Sequence, residues 1–162
     1  MDILDRLLAH DAWTTRQLLS ACETLPDERL DEEFDIDRRS LRLTFVHMIA
    51  NMEVWTDLIC ERPVTPREGE SIAELKVRLA DISREFDNIA REIRRDQRYD
   101  ACFVDTLDDP PRLKTFGGAI AHVITHNVHH RAQVMIMMER AGLGDHIEGD
   151  LLSWEAKAFG WV

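Results

Sequence analysis

Helical periodicity constrains this chain more than any other feature. Apolar residues recur at three- and four-residue spacing in four separate stretches, and strand-like alternation is nearly absent. The first stretch, about Asp2 to Glu23, sets Ile3, Leu4, Leu7, Leu8, Leu18, Leu19 and Cys22 on one side. The acidic run "LPDERLDEEFDIDRR" then breaks the pattern and reads as a connection. A second helix is expected from about Ser40 to Glu61, with Ser40 as its N-cap. After "RPVTPREGE", Ser71 stands three residues before Glu74, the spacing of a capping box, and opens a third helix to about Asp96. Its many charges require one side to face water. "RYDACFVDTLDDPPR" reads as extended and has room for a short strand or hairpin. A fourth helix, about Lys114 to Ala141, stops at the glycine-bearing "AGLG".

The expected fold class is therefore all-α: a four-helix bundle, with a short extended segment before the fourth helix and a short helix in the tail "GDLLSWEAKAFGWV". Residues 1–162 are expected to form a single domain, since this length suffices for one real core. The first and last connections are about 15 residues each, longer than the roughly 2–8 usual in bundles, so a crossover topology is admitted beside simple hairpins.

A net charge of −11 opposes binding to nucleic acid or to anionic membranes. No apolar run approaches the roughly 18 residues of a spanning helix. "MDILDRLLAHD" carries acids where an export signal carries positive charge, so a cytoplasmic location is expected. Cys22, Cys60 and Cys102 are too far apart for a local metal knuckle and read as free thiols.

Four of the seven histidines fall within nine residues of the fourth helix. His122, His126 and His130 stand at four-residue intervals, and Gln133 continues roughly the same face. Adjacent rungs are about 6 Å apart along the axis, so the rings of His126 and His130 can converge on one ion. Two ligands from one helix make a poor site. On the second helix, His47 falls inside the apolar arc of Leu41, Leu43, Phe45, Met48, Met52, Trp55, Leu58 and Ile59, while Arg42, Glu53 and Asp57 take the opposite side. An interior imidazole needs partners for both nitrogens, and a metal is one good partner. A hydrogen-bonded core histidine is the ordinary alternative at any single position; the convergence of three favours a metal. His129 points off the shared face, His122 could line a cleft, and His10 and His146 are expected at the surface.

Asn51 and Asp11 also stand in apolar arcs, where they either orient ligating imidazoles or satisfy other groups. Arg131 and Asn127 lie among Ile120, Ile124, Met135 and Met138, so the Arg131 guanidinium requires a carboxylate or a helix C-terminus. The fourth helix is apolar over more than half its circumference, which calls for a cover: a homodimer partner, or the tail with Leu151, Leu152, Trp154 and Phe159.

Three stretches, "AHVITHNVHHRAQV", "LRLTFVHMIANMEVW" and "HDAWTTRQLL", resemble the DinB/YfiT-like family in its His-x-x-x-His-Arg-x-Gln signature, its second-helix histidine and its first-helix tryptophan, here Trp13. Where the family usually has glycine between Arg and Gln, this chain has Ala132, which offers no ligand either way. The resemblance implies a four-helix bundle, often dimeric, that binds a divalent metal through His47, His126 and His130. Relatives include thiol-dependent transferases and isomerases and some metal-dependent hydrolases.

Imidazole ligands suit zinc, nickel, iron or copper. The expected activity is that of a small metal-dependent enzyme activating a low-molecular-weight thiol for transfer to an electrophile. The alternatives are a hydrolase using metal-bound hydroxide, a non-catalytic metal- or ligand-binding stress protein, and a structural bundle with core histidines. No glutamate stands within the His-x-x-x-His spacing, so no general base is assigned.

Overall fold

Each long helix begins at a residue whose side chain accepts a free amide of the first turn, an amide the helix itself cannot satisfy. A computed structural model describes residues 1–37, 40–144 and 149–161. α1 (Ile3–Ala21) starts with a reciprocal box between Asp2 and Asp5. α2 (Asp27–Leu30) is a single turn inside the acidic connection and buries Leu30. Ser40 caps α3 (Leu41–Ile59), and the Ser71–Glu74 box caps α4 (Ile72–Arg95). β1 (Cys102–Asp105) and β2 (Arg112–Thr115) form an antiparallel hairpin, with Cys102 opposite Thr115 and Asp105 opposite Arg112. Thr115 caps α5 (Phe116–Arg140), which ends at Ala141 before Gly142 at φ +84°. Asp150 caps a short α6 (Leu151–Ala158). The molecule is thus mostly helical, the all-α bundle expected, with the hairpin as its extended segment.

α3 packs against α4 and α5, and α1 packs against the same two helices. α1 and α3 therefore occupy opposite corners of the bundle, as do α4 and α5. This explains the loop lengths: the two long connections cross diagonals, and only the shorter link from α3 to α4 joins neighbours. Leu18, Leu19, Leu41, Phe45, Ile49, Leu75, Phe86, Met137 and Met138 are fully buried between the helices. Among the described residues no helix is long and apolar enough to cross a membrane.

The hairpin fixes where α5 begins. Phe103 packs against Phe116, ring centroids 5.3 Å apart. The Phe116 N–H donates to Ala101 O at 3.0 Å, and the Gly117 N–H to Tyr99 O at 2.8 Å. A Cβ at position 117 would sit 3.1 Å from that Tyr99 oxygen, so the close approach suits glycine. Fixing this end sets the rotation of α5, and with it the direction its histidines face.

Several expectations about faces are corrected. Glu53 and Asp57, assigned to the polar outside of α3, are buried, because α4 and the following loop bring arginines onto that face. Arg78 grips both Glu53 oxygens at 3.0 and 2.8 Å. Arg62 and Arg67 meet Asp57 at 2.7 and 3.2 Å, and Thr65 N–H donates to it. Burial alone would raise the Asp57 carboxyl; the Thr65 amide and the two guanidiniums hold it below the usual range. Conversely, Ile3 is 75% and Leu43 50% exposed, since each lies at the margin of its helix's apolar arc.

Among the described residues, the tail leaves part of α5 uncovered. α6 packs on α1 instead, held by an Arg6–Glu155 ion pair at 2.7 Å and by buried Trp154. Val128 and Ile136 stay exposed on α5, at 51% and 45%. His10, expected at the surface, is buried beneath this contact. Its Nε2 donates to Gly149 O at 2.7 Å, its ring meets Trp154 edge-on at 6.1 Å, and burial pulls its pKa down. His146 lies outside the described residues.

Candidate metal centre

Four residues are little more than one helical turn, so His126 and His130 turn their rings the same way from α5, centroids 4.4 Å apart. α3 lies alongside and presents His47 to both, at 4.8 and 4.6 Å. The Nε2 atoms of His47 and His126 are 2.9 Å apart. One nitrogen from each of the three residues falls within 4.8 Å of the others. His130 is buried, while His47 and His126 are half-buried at the edge of the bundle.

The environment keeps lone pairs available. Burial, with His130 and His47 close by, pulls the His126 pKa down to about 4, against a smaller opposing effect from the Asn127 side chain. His126 is therefore neutral at pH 7. His130 Nδ1 donates to Gln133 Oε1 at 2.7 Å, which sets its tautomer and leaves Nε2 as the acceptor. Two Nε2 atoms at 2.9 Å require a proton or a cation between them, and His126 Nδ1 is a buried nitrogen with no hydrogen-bond partner among the described residues. Nitrogens bound to one zinc-sized ion at about 2.0–2.1 Å lie within roughly 4 Å of each other. Ring rotations that move these atoms by less than about 1 Å bring the trio to that spacing, so the residues fit an imidazole-bound divalent ion.

The other two histidines of α5 lie apart from the trio. His129 is exposed on the flank, its Nε2 facing Gln133 Nε2 at 3.1 Å. His122 is exposed one turn before His126, with its ring 5.5 Å from that of His126 and 5.1 Å from Trp55. Asp11 and Asn51 make their hydrogen bonds to other side chains. Asp11 accepts from Asn127 Nδ2 at 2.8 Å and from the Arg131 guanidinium, giving Arg131 the carboxylate it required. Asn51 Oδ1 accepts from Trp55 Nε1 at 3.1 Å. Gln133 is a partner of an imidazole, and its three-residue spacing from His130 was the available sequence signal.

This geometry sits within a broader likeness: the family model described as the DinB family matches residues 1–147. The chain belongs to the DinB family. The match covers α1 to α5 and the histidine cluster, and stops before α6. No curated protein matches the chain. DinB membership and the gathered histidines are together compatible with metal binding.

Proposed function

We propose that His47, His126 and His130 hold one divalent metal ion and that this DinB-family protein is an enzyme activating a small thiol for transfer to an electrophile. The observation that carries the reading is the convergence of three imidazoles from two helices, with no carboxylate or cysteine joining the group among the described residues. Three protein donors leave a further position for a ligand. Such an ion, when bound, lowers the pKa of a thiol or water beside it and supplies a nucleophile near neutral pH.

The chain's own residues prepare that position. Gln133 orients His130, burial keeps His126 neutral, and His47 and His126 are only half-buried. Among the described residues no acidic side chain joins the cluster, which favours thiol over water. A thiol needs only a modest fall in pKa to ionise at pH 7, whereas hydrolysis benefits from a carboxylate that relays protons. The test is turnover of a small electrophile by metal-loaded protein with and without an added low-molecular-weight thiol. Turnover that requires the thiol and stops with a chelator supports the proposal; hydrolysis at the same rate without thiol contradicts it.

The protein is further proposed to be a homodimer through the exposed α5 stripe of Val128 and Ile136, flanked by small Ala121, Thr125 and Ala132. Sedimentation should show a dimer that Val128→Lys with Ile136→Lys converts to monomer. A wild-type monomer at micromolar concentration would refute it.

A further inference from the structure

Beside the histidine cluster, between α3 and the start of α5, lies a cavity of about 390 Å³ lined by Trp55, Lys114, Thr115, Gly118, Ala119 and His122. We infer that this cavity binds the apolar, flat body of the substrate whose reacting end reaches the three histidines, and that Trp55 and His122 determine this specificity. The inference rests on the metal reading above.

Three observations lead there. The first is position. His122 is shared between the two places, its ring 5.5 Å from that of His126 and 5.1 Å from Trp55, so the cavity opens one helical turn from the cluster. One turn is about 5.4 Å, the distance a linker of one or two carbons spans between a bound atom and an aromatic ring.

The second is shape. An indole and an imidazole form the walls, and Gly118 and Ala119 add almost no side-chain bulk. Gly118 is held to glycine by the cap, because a Cβ there would lie 2.8 Å from Thr115 Oγ1. The Trp55 wall is fixed from behind, with its N–H bonded to Asn51 Oδ1 at 3.1 Å and its ring edge-on to Phe103 at 6.4 Å. A rigid aromatic wall gives contact area at low entropic cost.

The third is charge. The cation at the cavity, Lys114, is paired with Asp108 at 2.9 Å, with Asp105 at 3.9 Å, and so is already compensated. The walls recognise a neutral apolar group better than a carboxylate or phosphate.

The experiment uses cobalt(II)-loaded full-length protein and two thiols, phenylmethanethiol and ethanethiol, with binding followed by thiolate-to-cobalt absorption. Wild type should bind phenylmethanethiol about tenfold more tightly, the effect of burying roughly 55 Å² of apolar surface. His122→Ala, at an exposed position, and Trp55→Ala should each bring the two affinities together while leaving ethanethiol and cobalt binding unchanged. A wild type that does not prefer the aromatic thiol, or a preference that survives both substitutions, overturns the assignment of the cavity. Failure to bind cobalt at all removes the metal reading itself, and this inference with it.

Discussion

Protonating His126 costs more in the folded protein than in the unfolded chain, because burial and its histidine neighbours pull its pKa from 6.5 to about 4. Above pH 6.5 neither state takes the proton and the shift has no effect on stability. Between 6.5 and about 4 the unfolded chain binds a proton that the folded protein refuses, so stability falls as pH falls. Buried His10, lowered by desolvation, acts in the same direction. Asp57 and Asp5, held below the usual carboxylate value of 3.8, add their losses only beneath it. Urea midpoints of metal-free protein should therefore drop from pH 7 to pH 4.5, and His126→Gln should flatten part of that slope. A midpoint unchanged over this range would contradict the burial argument. A second residue-level consequence concerns Asp11, which among the described residues is the carboxylate paired with buried Arg131. Asp11→Ala should cost about 3–5 kcal/mol, since it strands a buried guanidinium, whereas Asp11→Leu with Arg131→Met should cost far less. A double variant that loses as much as Asp11→Ala would contradict a cost set by the stranded guanidinium. Of these residues, the ladder His126–His130 and the inward His47 were legible in the sequence because one helix's geometry fixes which side chains share a face. His10 was not, since its partners Gly149 and Trp154 lie more than a hundred residues away and nothing in the local pattern points to them.

At the level of elements, capping chemistry made the helix starts readable to within about two residues. Ser40, the Ser71–Glu74 box and the stop before Gly142 all act where the sequence placed them. What a helix packs against was less readable. Glu53 and Asp57 read as solvent-facing until α4 supplied Arg78 and the loop supplied Arg62 and Arg67; the patterning of α3 alone carries no information about a partner helix. The same holds for α6, whose apolar residues identified a docking helix but not its target. Its hold on α1 concentrates in Trp154 and the Arg6–Glu155 pair. Trp154→Ala should release α6, raising amide exchange across residues 151–158 while the bundle still unfolds in one cooperative step. Protection in α6 that survives the substitution would mean that the ion pair and cap suffice to hold it.

For the whole molecule, four helices and two long connections were foreseeable, and the diagonal arrangement follows once each long connection is seen to need its length. The DinB match over residues 1–147 agrees with this architecture and leaves α6 as an addition outside the matched region. The bundle's central consequence is that two helices far apart in sequence set three imidazoles around one point. That arrangement is tested most directly by elemental analysis of untagged protein, purified without chelator, beside His47→Ala and His126→Ala variants that retain the helical spectrum. Close to one equivalent of a divalent transition metal per chain is expected in wild type, falling at least tenfold in each variant as a ligand is lost. Substoichiometric metal that does not fall further in either variant would contradict the three-histidine centre.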